Sequence, residues 1–341
     1  MVNSFFKCKT PWVAILGAAL VASVFSSASL AQSGRITVAT GPASTFYNQV
    51  ATAVSNQLQQ ELGVASTARP FGGTTIYLPQ LHRGDIALGL NSALDSGAAY
   101  LGEEPYPQAL SNVRAAMLLF RAPYALHARG DSTIETIADL KGKPVITAYR
   151  SVVLFQRVHE VLLATAGLTP DDIKPVEAAG VADAVRSLVE GRVAAAGSIT
   201  NIGLLREADA SVSGGLRVLA LGENEAALEQ LAGFTATTLK PGPASVGVTK
   251  PMRVAQFDVY LNTSSKHAAD DVYRQVKAIH QNWGKLQKEV PGLRGADAAE
   301  LAPANISHPY HEGAVRYFKE VGLWTDKHER RQQEMLKKAA R

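Results

Sequence analysis

Serine, threonine, asparagine and glycine gather in five short stretches of this 341-residue chain, each after an apolar run that reads as a β-strand. They are Thr40-Gly41-Pro42-Ala43-Ser44-Thr45, Gly72-Gly73-Thr74-Thr75, Asn91-Ser92, Tyr149-Arg150-Ser151 and Ser198-Ile199-Thr200-Asn201. Hydroxyls, amides and bare glycine backbone hold a small polar molecule without reacting with it. At least three of the stretches lead into helices, whose free N–H groups and positive dipole ends suit an anion. One such stretch is an ordinary capped turn. Five at the C-terminal edge of consecutive strands, where open α/β sheets bind ligands, describe a site. Arg150 is the one cation among them, and its planar guanidinium could grip a carboxylate with two prongs. The competing assignment is an arginine that faces water or pairs with a nearby acid.

Reactive constellations are missing. Pro243-Ala244-Ser245-Val246-Gly247 lacks the first glycine of a nucleophile elbow, and Val248 stands where a P-loop with Gly242 and Gly247 would need lysine. No G-x-G-x-x-G occurs. His308 and His311 lie three apart, but no third zinc ligand has suitable spacing, and Glu312 beside His311 does not make an H-E-x-x-H. These two histidines, with Glu312 and Arg316, are expected to tie the end of the chain to the fold. No catalytic residue, no metal and no cofactor is expected.

The elements that carry the polar stretches alternate in type. Ile36 to Ala39 reads as a strand, and Val50, Val54, Leu58 and Leu62 mark one helix stripe that Gly63 stops. Thr75 is expected to cap the next helix, with Pro79 near its first turn. Asp85 to Leu90, Val113 to Phe120 and Tyr124 to Ala128 read as strands. A second series follows: a capping box at Thr136-Ile137-Ala138-Asp139 closed by Gly142, a strand at Val145 to Ala148, and a helix with Leu154, Val158, Val161 and Leu162 on one face. Val181, Val185 and Leu188 mark another helix before strands at Val193 to Ala196 and Val218 to Leu221. Strands separated by helices of this length imply βαβ units and mostly parallel sheets, an α/β fold. After Lys240-Pro241-Gly242-Pro243 comes one strand, Gln256 to Leu261, and then helical sequence. A lone late strand suggests that the chain returns to its first half. The expected division is 32–121 plus 246–341 as a discontinuous first lobe and 122–245 as the second, with the ligand cleft between them.

The start of the chain looks like a secretory leader. Lys7 and Lys9 precede an uncharged run from Trp12 to Phe25, and Ser29-Leu30-Ala31 offers small residues for cleavage after Ala31. Residues 1–31 are therefore expected to be a signal peptide and the protein to be periplasmic. Cys8 lies in this leader, so the expected mature chain has no cysteine for a disulfide or a thiol nucleophile. The whole chain carries +4, of which Lys7 and Lys9 supply two charges. The last stretch, Thr325 to Arg341, has six Lys/Arg against three acids, more than the whole remaining surplus, so residues 32–324 are about −1. So near-neutral a body argues against nucleic-acid binding. A monomer is expected.

The closing segment, His308-Pro309-Tyr310-His311-Glu312-Gly313-Ala314-Val315-Arg316-Tyr317-Phe318-Lys319-Glu320-Val321-Gly322, resembles the ending of the TAXI family, the extracytoplasmic solute receptors of one class of TRAP transporter. Gly84-Asp85-Ile86-Ala87-Leu88, Asp139-Leu140-Lys141-Gly142-Lys143-Pro144-Val145 and Ser187-Leu188-Val189-Glu190-Gly191-Arg192-Val193-Ala194-Ala195 are similar to segments of type II periplasmic binding proteins generally. The resemblance implies a two-lobe fold and cleft closure around a small carboxylate or amino acid of the glutamate and 2-oxoglutarate class. It also implies delivery to a TRAP membrane permease subunit. A sensor module that presents the ligand to a signalling partner is one rival reading, and a hydrolase on an α/β scaffold, which would need a nucleophile–base pair, is the other. The family's Gly-rich first loop with its Tyr-Tyr pair corresponds here to Gly41 through Thr45 with Phe46-Tyr47. Its second loop matches Gly72-Gly73-Thr74, and its third, usually Gly-Ser-Gly-Thr, reads Tyr149-Arg150-Ser151-Val152. Taken with the polar stretches, the ligand set is Thr40, Ser44, Thr45, Phe46, Tyr47, Gly73, Thr74, Thr75, Asn91, Ser92, Tyr149, Arg150, Ser151, Val152, Ser198 and Thr200.

Overall fold

Apolar residues four apart generate the first helix, and the strands on either side of it are β-branched or small. A computed structural model describes residues 34–43, 45–242, 245–294 and 296–338. The expected signal peptide and Ser44 lie outside the described residues. The chain opens with β1 (Ile36–Thr40), α1 (Phe46–Leu62), β2 (Ser66–Pro70), α2 (Thr74–Arg83), β3 (Leu88–Ser92) and α3 (Ala93–Leu101), then enters the long β4 (Val113–Arg129). A second run follows: β5 (Pro144–Tyr149), α4 (Phe155–Thr165), β6 (Lys174–Ala178), α5 (Val181–Val189), β7 (Ala196–Ile199), α6 (Gly203–Ser211) and β8 (Leu216–Leu219). The chain then forms β9 (Phe234–Leu239) and β10 (Met252–Ser264) before α7 (Ala269–Gln281), α8 (Trp283–Glu289), α9 (Glu312–Glu320) and α10 (Asp326–Lys338).

The Val50, Val54 and Leu58 stripe of α1 is fully buried, and the helix stops where Gly63 takes φ 66°, a left-handed turn that costs glycine little. The Thr136–Asp139 capping box forms, but it caps a single 3-10 turn, Ile137–Leu140. Thr75 does not cap α2. That helix starts one residue earlier behind Gly73, with no side-chain cap, and Pro79 sits in its interior, a position that forfeits one helical hydrogen bond.

The sheet is mixed rather than mostly parallel. β1 pairs in parallel with β2 and β3, and β5 with β6. The middle of the main sheet is antiparallel: β10 runs against β3, β4 and β9, and β4 against β7 and β8. The two strands read at Val113–Phe120 and Tyr124–Ala128 are one continuous strand. Pro123, which has no N–H to give, sits inside it opposite Gln256 and accepts from the Thr200 N–H at 3.0 Å. The late strand likewise extends to 13 residues. These two long strands join the halves. The first part of β4 lies beside β10, and its last part, from Tyr124 onward, carries β7 on one edge and β8 on the other.

Helices α1, α7 and α9 pack together over the first half. One main core runs through both halves, including Val38, Leu88, Phe257 and, from the second half, Val158 and Leu162. A smaller cluster around Ile146, Leu188 and Leu205 also takes in Val246. Among the described residues no helix is long and apolar enough to cross a membrane.

Candidate functional site

Two of the polar stretches meet at one side chain outside the expected set, Asp95. Ser92 caps α3, accepting from the Asp95 N–H at 3.0 Å, and its hydroxyl donates to Asp95 Oδ2 at 2.6 Å. Thr74, at the start of α2, donates to Asp95 Oδ1 at 3.0 Å. Tyr47, in the first turn of α1, packs edge-on against Phe120 with centroids 5.5 Å apart. Its phenol pKa is pushed well up by burial and by the negative charge of Asp95. Asp95 itself is 5% exposed, and loss of water raises its carboxyl above the usual range, against the two hydroxyl hydrogen bonds that hold it down. Among the described residues no lysine or arginine contacts it.

Buried hydroxyls without hydrogen-bond partners lie around this edge. Thr40, the last residue of β1, is fully buried and its Oγ1 bonds to nothing; the Tyr106 hydroxyl, in the loop between α3 and β4, is buried with the Thr74 hydroxyl beside it. In the second half the Thr200 Oγ1 is also buried and unpartnered, just past the end of β7. Buried polar atoms are nearly always satisfied, so orphaned hydroxyls at loop ends mark groups that meet a ligand or water. Gly73 faces the other half directly: a Cβ built there would lie 3.6 Å from the Ser151 carbonyl oxygen. Arg157 of α4 reaches Glu103 of the first half at 3.2 Å.

Other members of the expected set serve different ends. Thr45 caps α1, accepting from the Asn48 N–H and donating to the Pro42 carbonyl. Phe46 packs against Phe120 and over Gly292. Thr75 is exposed. Asn91 is fully buried in a network below the edge: its amide donates to the Tyr77 hydroxyl and accepts from Asn262, which also meets Ser96 and His308. Tyr149 is buried and its hydroxyl donates to the Gly197 carbonyl. Beside it, Tyr124 Oη lies 2.7 Å from His159 Nε2, while His159 Nδ1 lies 2.8 Å from the Thr147 carbonyl. The Ser198 hydroxyl donates to the Ile199 carbonyl, and Val152 packs on the second-half core. Arg150 does not point at the loops. Its guanidinium pairs with Glu177 of β6 at 2.9 Å, and the two side chains are 65% and 54% exposed, which is the water-facing alternative. The backbone explains this: the Arg150 and Ser151 N–H groups bond to the Ala178 and Ala179 carbonyls, so this loop continues the β5–β6 pairing and turns its arginine outward.

The two C-terminal histidines are structural. His308 Nε2 donates to Asn262 Oδ1 at 2.7 Å. His311 caps α9, accepting from the Gly313 N–H, and its Nε2 reaches the His267 carbonyl. Arg316 pairs with Asp270 and stacks over Tyr273. Among the described residues no three His, Cys, Asp or Glu side chains gather as a metal site.

Residues 38–322 match the NMT1-like family, and the chain belongs to that family. Among solved structures it is similar to the alkanesulfonate-binding protein SsuA from Xanthomonas axonopodis pv. citri bound to MOPS, at 17% identity and TM-score 0.47 over 86% of this chain and 95% of that one. It is also similar to the periplasmic aliphatic sulphonate binding protein SsuA from Escherichia coli, at 15% identity and TM-score 0.46 over 89% and 99% of the two chains. An ancestral arginine-binding protein bound to glutamine matches at 18% identity and TM-score 0.46, over 77% of this chain and 99% of that one.

Proposed function

We propose that the protein is a periplasmic solute-binding receptor that captures a small polar molecule between its two halves and hands it to a membrane permease of the TRAP type. The observation that carries this reading is the pair of buried, unpartnered hydroxyls at strand ends on both halves, Thr40 on one and Thr200 on the other. Neutral donors and acceptors of this kind bind and release; they do not form or break bonds. The division at 32–121 plus 246–341 and 122–245 is the mechanical counterpart. The halves are linked by β4 and β10, and small rotations spread along two long strands open the line where Gly73 meets Ser151. The C-terminal resemblance to TAXI receptors supports the TRAP assignment, and the family's carboxylate and amino-acid ligands set the panel to try.

The test is thermal melting of the protein purified without refolding, against dicarboxylates, sulfonates and amino acids. A ligand at 100 times its dissociation constant stabilises the fold by about 2.7 kcal/mol. A flat response to the whole panel, in protein that native mass spectrometry shows to be ligand-free, overturns the receptor reading.

A further inference from the structure

We infer that Asp95 is the anchor for a protonated amine on the bound solute, so that the ligand is an amino acid or a related zwitterionic primary amine. The inference rests on the receptor reading and narrows it. The Asp95 carboxylate lies where the starts of α2 and α3 meet, held at 2.6 Å by Ser92 and 3.0 Å by Thr74. It is 5% exposed. A carboxylate so far out of water needs a cation or a full set of hydrogen bonds. Two neutral hydroxyls leave lone pairs on both oxygens unfilled.

A role as helix cap accounts for only part of this geometry. Asp95 is the third residue of α3, and with Ser92 it closes a local pair of the kind that favours the start of a helix. A cap of that sort works as well at the surface, screened by water. Here Thr74 from another helix is drawn in, and Tyr47 and Tyr77 are both close enough to feel the Asp95 charge. The Tyr106 hydroxyl is buried beside the same carboxylate, with the Thr74 hydroxyl as its neighbour. An ammonium group carries three donors. One neutralises Asp95, and another can turn to the Tyr106 hydroxyl oxygen beside it. A ligand without an amine leaves the carboxylate uncompensated and sets its own negative end against it.

The experiment compares ligand pairs that differ only in the amine: glutamate with glutarate, phenylalanine with 3-phenylpropionate, and taurine with ethanesulfonate. Affinities are measured by calorimetry on the wild-type protein and on Asp95→Asn, which keeps the shape and one acceptor oxygen. The wild-type comparison needs no variant and stands even where Asp95→Asn folds poorly. In wild type the amine member of a binding pair is expected to bind at least ~30-fold more tightly than its partner, the lower end for an unpaired buried charge. In Asp95→Asn that preference is expected to collapse. Equal or tighter binding of the member without an amine overturns the inference and leaves the receptor reading intact, since Asp95 would then act as a neutral acid or as a cap alone. Protein that binds neither member of any pair overturns both.

Discussion

His308 is expected to be the residue through which acid loosens this fold. It is fully buried, and burial, with Arg114 nearby, lowers its pKa from 6.5 to about 3. Its tautomer follows from its partners. Asn262 already donates its amide to Asn91 and Ser96, so its oxygen is free to accept from His308 Nε2, and the Ser307 hydroxyl serves Nδ1. The neutral ring is satisfied, and a second proton would add a charge that burial and Arg114 both oppose. The folded pKa lies below the unfolded one, so the unfolded chain binds the extra proton and stability is lost as pH falls from 6.5 toward 3. At pH 5 the unfolded ring is protonated and the folded one is not. The 1.5 units below 6.5 then remove about 2 kcal/mol at 1.36 kcal/mol per unit. Replacing the ring by His308→Gln keeps a donor toward Asn262 and removes the titration. The variant should be weaker at pH 7.5 by ~1–3 kcal/mol, because it leaves Ser307 unserved and packs less well. Its decline between pH 7.5 and 5 should nevertheless be about 2 kcal/mol smaller than that of the wild type. Urea unfolding at both pH values measures this. Identical declines in the two proteins would refute the argument.

Two further outcomes follow from side chains the sequence singled out. Arg150→Ala should change stability by no more than ~1 kcal/mol and leave ligand affinity as it was, because the Glu177 pair is exposed on both sides. Calorimetry showing lost binding in an unaltered fold would put this guanidinium in the cleft after all. His311→Ala should cost ~0.5–2 kcal/mol, the usual effect of losing a helix cap, and leave affinity unchanged. Unchanged melting, or binding lost without stability, would contradict it.

Where the chain's own local chemistry decides an element, the sequence was enough. The α1 stripe ends at Gly63 as its spacing requires, and the Thr136–Asp139 box forms because both of its hydrogen bonds lie within four residues. Long-range pairing was less legible. β2 contains Arg69 and Pro70, β6 is Lys174-Pro175-Val176-Glu177-Ala178, and β9 is half threonine, so none shows a sustained apolar pattern. They are edge strands or short strands, held by backbone pairing to neighbours that do show the pattern. The antiparallel centre has the same origin. The direction of β10 relative to β3 and β4 is a property of where the chain returns, and no residue within β10 encodes it.

The site divides along the same line, and the division bears on how such a cleft is built. A strand-end hydroxyl is easy to find in sequence, since a cluster of Ser, Thr and Gly after an apolar run is visible by eye. What that hydroxyl does depends on the next element. Thr74 and Ser92 donate to Asp95, whereas Asn91, one residue before Ser92, turns inward to Tyr77 and Asn262 because successive strand residues face opposite sides. Asp95 had a local signature of its own, since Ser92 followed three residues later by an acid is a helix-start pattern. That pattern describes a surface cap as well as a buried one. Only the approach of α2, with Thr74, and of the loop that carries Tyr106 takes the carboxylate out of water. Burial turns an ordinary cap into a charged group that needs a partner, and burial here is a product of the tertiary fold. A receptor of this kind can therefore change its ligand without changing its recognisable loops, by altering what lies behind them.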